Sequence, residues 1–433
     1  MQRLYSLGFT LAFLIALPYF LFQVLCHRKY CSSIIERLGI LPNQIRSCPP
    51  GGIWVHAVSA GEVLSALPLL KKIRKRWPNR PVFLSTTSSS GHDLARQNYI
   101  DLDNIFYFPL DWKFSVRRTL KQVRPSLVLI LETEIWPNFL HECHYQGVSV
   151  CLANGRISDR SFRRYWKYRW FFRWALVHFN FCCVQDDIDR KRLILLGIPT
   201  KKVKVCGNLK YDIEPPNQLT QKVKYFRSLI NPGSHSFLLV AGSTRKNEEI
   251  LVLQAFQALK KHCPTARLLL APRHPKRCGK IEQLLKNLSI QYLKRSELTP
   301  MESIQARNSS IDIILLDTLG ELPVLYALAD LVFVGGSLVP WGGHNLLEPA
   351  LFKKPVLFGP HMNNFREMSH HFIKAEAGLM VQNKFELQEQ LVNLYHNPAK
   401  RKKLGENAYN IIQTNQGSSN KLLDYVEQTL SAF

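Results

Sequence analysis

Three apolar runs of strand length each end in a charged residue. "IWVHAVSAGEV" runs from Ile53 through the small residues Ser59-Ala60-Gly61 to Glu62; "PSLVLILETEIWPN" ends in Glu132-Thr133-Glu134; "KVKVCGNLKYD" delivers Lys210. An ionised carboxylate at such a strand end can take a proton from a hydroxyl nucleophile. Glu62 also suits the positive start of the helix that follows it, a role that needs no chemistry. Two acids at two strand ends in one half of the chain are harder to assign to capping alone. Lys210 suits a carboxylate or phosphate partner, and equally a solvated surface.

The second half carries other devices. "VFVGGSLVPWGGHNLLEP" passes through Gly335-Gly336 and Gly342-Gly343 to Asn345, a capping residue type ahead of Glu348. Glycines let backbone amides approach a ligand closely, and a helix start offers unpaired N–H groups to phosphate. "DTLGELPVLYALAD" repeats the device at Leu319-Gly320-Glu321, and "LLLAPRHPKR" ends a strand in Pro272-Arg273, placed to meet phosphate or carboxylate. Glu348, three residues beyond Asn345, fits a capping box or a ribose hydroxyl contact.

Metal-ligand patterns are weak. Asp187-Ile188-Asp189 and Asp101-Leu102-Asp103 fit DxD, but the first opens a helix and the second precedes a strand. His141, Cys143 and His144 have ligand chemistry without a further ligand cluster. The reading is that no metal is bound.

The elements that must position these residues alternate between strand-length apolar runs and helical patterns. Strands are expected at 53–58, 82–86, 105–110, 127–132, 148–153, 179–184 and 203–207, then at 237–241, 266–272, 311–317, 331–335 and 355–358. This alternation predicts βαβ units around parallel sheets. A turn-rich break near 212–235, with "EPPNQ" and "NPGSHS", divides two Rossmann-like domains, with a ligand cleft expected between them. The expected division is 1–30 anchor, 31–212 N-terminal domain, 213–235 linker and 236–433 C-terminal domain. With 433 residues, 46% of them apolar, the chain is long enough for two cores.

Leu4 to Cys26 carries no charged residue, and a helix needs about 20 residues to cross a bilayer. His27, Arg28 and Lys29 follow, which places the body of the chain on the cytoplasmic side. Ten cysteines without a CxxC pair fit reduced thiols. The 57 Lys and Arg against 32 Asp and Glu give a net charge of +25, suited to an anionic partner. "DRSFRRYWKYRWFFRWALVHF" (159–179) interleaves Arg and aromatics at helical spacing. That pattern fits a helix packed on the sheet or a segment in the headgroup layer; nucleic-acid binding is the weaker fit.

"HAVSAGE", "LETEIWPN", "GNLKYD", "PRHP", "DTLGEL" and "GGSLVPWGGHNLLEP", in this order over nearly the whole chain, resemble the 3-deoxy-D-manno-octulosonic acid (Kdo) transferases of Gram-negative bacteria. The resemblance implies a GT-B fold of two Rossmann-like α/β domains with an N-terminal membrane-anchor helix. It implies an inverting, metal-independent transfer of Kdo, one or more units, from CMP-Kdo to the lipid A precursor (lipid IVA). The place would be the cytoplasmic face of the inner membrane, among anionic lipids and without nucleic acid or cofactor. By the same resemblance Glu62 is the general base and Glu132 and Lys210 stabilise the transition state. Pro272, Arg273, Leu319, Gly320, Glu321, Asn345, Leu346, Leu347 and Glu348 match the segments that contact CMP. The competing reading is another membrane-associated GT-B transferase that uses a UDP-sugar.

Overall fold

A computed structural model describes residues 1–27, 31–98, 104–230, 237–299 and 311–431, with the side chains of residues 19–32 and 98 outside the description. The Asp101-Leu102-Asp103 motif therefore lies outside the described residues. So does the second half of the expected anchor as far as its side chains are concerned. The chain divides into two compact units, Met1–Asp212 with Asn415–Phe433, and Ile213–Thr414.

In the first unit seven strands form one sheet: β1 (Gly52–His56), β2 (Val82–Thr86), β3 (Ile105–Tyr107), β4 (Pro125–Leu131), β5 (Ser149–Gly155), β6 (Phe181–Val184) and β7 (Val203–Val205). Their order is β3-β2-β1-β4-β5-β6-β7, and every pairing is parallel. A parallel sheet is covered by helices on both faces, so its strands are mostly apolar, with polar residues such as His56, Ser85, Thr86 and Asn154 near their ends. Trp54, Val128, Ile130 and Leu152 enter one core, while Ile53, Val55, Leu127 and Leu129 enter the other. Strand β3 stops short of the expected Leu110 because Pro109 has no N–H to continue a ladder.

The second unit repeats the plan with β8 (Leu238–Thr244), β9 (Arg267–Pro272), β10 (Tyr292–Lys294), β11 (Ile313–Leu315), β12 (Leu331–Val334), β13 (Val356–Phe358) and β14 (Gly378–Met380). The order is β10-β11-β9-β8-β12-β13-β14, again parallel. The two edge strands, β10 and β14, have three residues each, of which one is buried, and were not expected; Tyr292-Leu293-Lys294 and Gly378-Leu379-Met380 do not stand out as apolar runs.

Two domain boundaries differ from expectation. Much of the supposed 213–235 linker is the helix Leu219–Ile230, which buries Phe226, Leu229 and Ile230 in the second unit. The C-terminal segment from Asn415 packs with the first unit, not the second as the 236–433 assignment required. Helix Ser418–Ser431 buries Leu422, Leu423 and Val426 in the core that contains β1 and β4. Asp212 holds the start of this helix, accepting the N–H groups of Gly417 and Ser419.

The first helix, Gln2–His27, lies against the first unit. Ser6 Oγ donates to Asn138 Oδ1 at 3.1 Å, and Trp112 Nε1 donates to Thr10 Oγ1 at 3.1 Å. Phe13 meets the Trp112 ring edge-on at 4.6 Å. Leu4, Leu7, Leu11, Leu14 and Ile15 are exposed, a stripe at helical spacing. Among the described residues no helix is long and apolar enough to cross a membrane. The Arg-aromatic stretch forms two helices, Asp159–Lys167 and Arg169–Leu176, parted at Tyr168. The first buries no residue; the second buries Ala175 and Leu176.

Candidate active site

Strand order explains why the acids matter. In the first sheet the chain direction of strand addition reverses between β1 and β4, and ligands of open parallel sheets collect beyond the strand ends at such a point. Glu62 follows β1 and Glu132 follows β4, so both stand there. Helix Ala60–Arg76 begins at Ser59, whose Oγ accepts the Glu62 N–H at 3.4 Å and donates to Glu62 Oε1 at 2.9 Å. Glu62 Oε2 accepts the Val58 N–H at 2.8 Å. This is a variant of the capping box, so the capping role open from the sequence is realised. Each carboxylate oxygen has two lone pairs, and each of these bonds uses one.

Glu62 is only 9% exposed. Burial pushes its carboxyl up from the ordinary 4.5 to about 7, and the nearby negative charges of Glu132 and Glu134 push the same way, against the Val58 and Ser59 bonds. A carboxylate tuned to neutrality is matched to proton abstraction from a hydroxyl. Burial and Glu132 raise Glu134 as well. Glu132 itself sits at φ 55°, a left-handed conformation for a residue with a side chain, held by its N–H bond to the Ala153 carbonyl at 2.9 Å.

Lys210 reaches this group although β7 is the sheet edge. Gly207, at φ 96°, turns the chain back over the strand ends. A Cβ there would also meet Ser418 Oγ at 2.5 Å. Asn208 Nδ2 then donates to Gln185 Oε1 at 3.0 Å, and the Leu209 N–H donates to Asn154 Oδ1 at 3.0 Å. Tied at the ends of β6 and β5, the returning segment sets Lys210 Nζ 3.6 Å from Glu132 Oε1. Asn154 and Asn208, which the sequence reading missed, are the residues that position it. The structure thus brings Glu62, Glu132 and Lys210 to one sheet edge.

In the second unit the corresponding reversal falls between β8 and β12. Here the structure corrects an expectation. The glycine loop after β12 does not turn its first amides outward. Buried Glu248 accepts them instead: Gly336 N–H at 2.6 Å, Ser337 N–H at 3.0 Å and Leu338 N–H at 2.9 Å, together with Arg245 N–H at 3.0 Å. The Gly335 N–H goes to the Gly242 carbonyl at 2.8 Å. The two anticipated helix starts are also slight. Leu347–Ala350 and Leu322–Leu325 are four residues each, with Pro349 and Pro323 inside them. One turn carries little of the aligned dipole that makes a long helix start attract anions.

Positive charge comes instead from side chains. Arg273, exposed after β9, stands close enough to Glu348 for its charge to oppose the upward push of burial on that carboxyl. Asn345 Oδ1 accepts the Leu347 N–H at 3.0 Å, the expected cap. Leu346 and Leu347 are fully buried and Pro272 closes β9, so these three have backbone alone to offer a ligand. Leu319 is 80% exposed beside Gly320, which has φ 80°. Glu321 is engaged elsewhere: Arg295 grips it with Nε at 3.0 Å and Nη2 at 3.1 Å, and Thr318 Oγ1 donates to it at 2.5 Å. Arg273 stands near Glu348 of the Asn345–Glu348 turn, whereas the hydrogen bonds and ion pair of Glu321 among the described residues go to Arg295 and Thr318.

Of the metal-ligand patterns, the acids at 186–189 have structural work. Asp186 Oδ1 accepts the Asp189 N–H at 2.8 Å at the start of helix Asp187–Leu195, and Asp189 Oδ1 accepts the Ile157 N–H at 2.8 Å. Cys143 is buried in the core, while the rings of His141 and His144 pack around His178 at 5.5 and 5.0 Å. Among the described residues no group of three or more His, Cys, Asp or Glu has the geometry to hold a metal ion.

Comparison with known proteins fits this architecture. Residues 32–213 match the family described as 3-Deoxy-D-manno-octulosonic-acid transferase (kdotransferase). The 3-deoxy-D-manno-octulosonic acid transferase of Haemophilus influenzae is 34% identical over 404 residues, 93% of this chain and 92% of that protein. That of Chlamydia pneumoniae is 30% identical, covering 87% and 84%. Among solved structures, the UDP-GlcNAc 2-epimerase of Neisseria meningitidis superposes with a TM-score of 0.56 at 16% identity, over 87% of this chain and all of that one, a likeness of fold alone. Relatives at this identity over most of both chains settle the family: the chain belongs to the 3-deoxy-D-manno-octulosonic acid transferase family and is a glycosyltransferase.

Proposed function

We propose that the protein transfers Kdo from CMP-Kdo to the lipid A precursor lipid IVA, with inversion and with Glu62 as the general base. Family membership supports Kdo as the sugar transferred. The observation that carries the mechanism is the setting of Glu62, a buried carboxyl raised to about 7 beside two further acids. Its carboxylate takes the proton of an acceptor hydroxyl as the oxygen attacks the anomeric carbon, and the bond to the CMP phosphate breaks with its electrons leaving on CMP. Lys210 and Glu132, 3.6 Å apart, offer a fixed dipole to the charge that develops in this displacement. In the second unit Arg273 and the Asn345–Glu348 turn take the nucleotide.

The acceptor is a phosphorylated glycolipid in this reading, and two features favour it. One is the +25 net charge. The other is the basic helix Asp159–Lys167, whose Arg160, Arg163, Arg164 and Lys167 line a surface recess of the first unit. The exposed leucine stripe of the first helix suits association with the inner membrane, with the body of the enzyme on its cytoplasmic face.

The test is mass spectrometry of lipid IVA after incubation with the purified protein and CMP-Kdo, beside parallel incubations with UDP-sugars. Addition of Kdo is expected. Transfer from a UDP-sugar instead, or no product with CMP-Kdo, refutes the proposal.

A further inference from the structure

The second unit gathers cations at the strand-order reversal of its sheet, and two of them, Arg245 and Arg273, feel the charges of Glu248 and Glu348 without pairing directly with a carboxylate. Arg245 follows β8 at once. Its Nε donates to His344 Nε2 at 3.4 Å, its Nη1 lies 3.1 Å from His274 Nε2, and its guanidinium carbon stands 5.0 Å over the Trp341 ring. Nearby Arg277 is neutralised by Glu249 through bonds of 2.5 and 3.1 Å. Among the described residues neither Arg245 nor Arg273 closes an ion pair with a carboxylate.

Two imidazoles are unusual partners for a guanidinium, because a neutral ring nitrogen can accept but adds no countercharge. Both rings are held in that neutral form. Burial, then Arg273 and Arg245, lower His344 to about 3, and burial and the same two arginines lower His274. Gly336 is shaped for the arrangement: it sits at φ 68°, and a Cβ there would press on the His344 ring at 3.1 Å and stand 3.5 Å from Arg245 Cγ. The fork is therefore aimed by His274, His344 and Trp341, with its remaining N–H groups uncommitted among the described residues. The amides that would otherwise serve an anion, those of Gly336, Ser337 and Leu338, are occupied by Glu248.

We propose that Arg245 binds the phosphate of the donor nucleotide, as a residue of the donor site beyond those that the family resemblance implies. The proposal rests on the reading of the second unit as the CMP-sugar unit. Burial and the neighbouring Arg273 and Arg277 charges disfavour the Arg245 guanidinium more than Glu248 favours it, so an anion that joins Arg245 and Arg273 relieves the repulsion. A phosphate with its several acceptor oxygens matches a guanidinium fork.

Calorimetric titration of the full-length protein with CMP and with cytidine, which lacks the phosphate, tests it. Arg245→Gln is expected to weaken CMP binding by about 10- to 100-fold, as for one charge-assisted bond, with cytidine binding unchanged. Unchanged CMP affinity in the variant overturns the proposal, and an equal fall for CMP and cytidine does so too, since it would mark a packing role. Should Arg245→Gln fail to fold, Arg245→Lys keeps charge and stem but loses the fork; a several-fold loss for CMP alone supports the proposal and parity with wild type overturns it. Failure of the wild-type protein to bind CMP refutes the donor reading itself, a result separate from any behaviour of Arg245.

Discussion

The Glu248 carboxylate accepts the Gly336 N–H at 2.6 Å, so an acid of the chain itself occupies the place where a glycine loop would otherwise hold a ligand's phosphate. With Ser337, Leu338 and Arg245 it receives four backbone N–H groups, which offset the cost of burying the charge. Burial still pushes its carboxyl above the ordinary range. Glu248→Ala leaves four donors without an acceptor, at about 1 kcal/mol or more each. The expected result is a loss of at least about 4 kcal/mol in urea unfolding of the second unit, with Glu248→Gln intermediate. Near-wild-type stability of the alanine variant would refute the structural role of this carboxylate.

Glu62 gives opposite signs for activity and stability. A carboxyl raised in the folded state from 4.5 to about 7 favours folding when protonated. That contribution is complete below about 4.5 and is lost as pH rises through about 7. Glu62→Gln is neutral throughout, so its thermal midpoint should exceed that of the wild type at pH 8, by the equivalent of up to about 3 kcal/mol, and the gap should close toward pH 5. Transfer should be abolished in the same variant. Near-normal turnover by Glu62→Gln would remove the base assignment.

The same group sets a pH profile. Under the proposed role for Glu62 the carboxylate acts ionised, so kcat/KM for transfer should rise with pH through about 7 and then level. A rate that is flat between pH 6 and 8 would assign the proton to another acceptor.

Lys210 and Glu132 should matter far more to rate than to folding. Each is 30% exposed and they stand 3.6 Å apart, a pair worth about 0–1 kcal/mol to stability. Removing one electrostatic stabiliser of a transition state costs about 100- to 1000-fold in kcat. Lys210→Ala is therefore expected to unfold within a degree or two of the wild type while transfer falls by at least about 100-fold. Comparable losses in both would mark the pair as structural.

Asp212 separates the two units experimentally. It caps helix Ser418–Ser431 through Gly417 and Ser419. Asp212→Ala should cost about 0.5–2 kcal/mol in the first unit, as helix caps do, and leave CMP affinity in the second unit unchanged. Thermal unfolding and a CMP titration of one preparation check both halves.

Part of this was legible beforehand for a physical reason. Strands buried on both faces are mostly apolar, so β1, β2, β4 and β9 stood out as runs, and a charged residue ending such a run had to face solvent or a site. The same rule could have flagged Arg245 and Glu248, since "AGSTRKNEE" follows β8 in the same manner. Strands β10 and β14 bury one residue each, too few to leave a pattern. The split at Tyr168 and the return of Ser418–Ser431 to the first unit are likewise unreadable, because they depend on surfaces that distant segments present.

What the sequence alone determined was the inventory: two series of βα units, an acid after β1, another after β4, a lysine after β7 and an arginine after β9. Local propensity and burial fix these, and they act within a few residues. What only the tertiary structure decided was company. The order β3-β2-β1-β4-β5-β6-β7 makes neighbours of β1 and β4, which two other strands separate along the chain; it sets Glu62 near Glu132 and Glu134, whose charges add to burial in raising its carboxyl. The turn at Gly207 carries Lys210 from the sheet edge to Glu132. Glu248 takes amides that lie some ninety residues away. Electrostatics and hydrogen bonds depend on distance in space, and only the folded chain sets that distance.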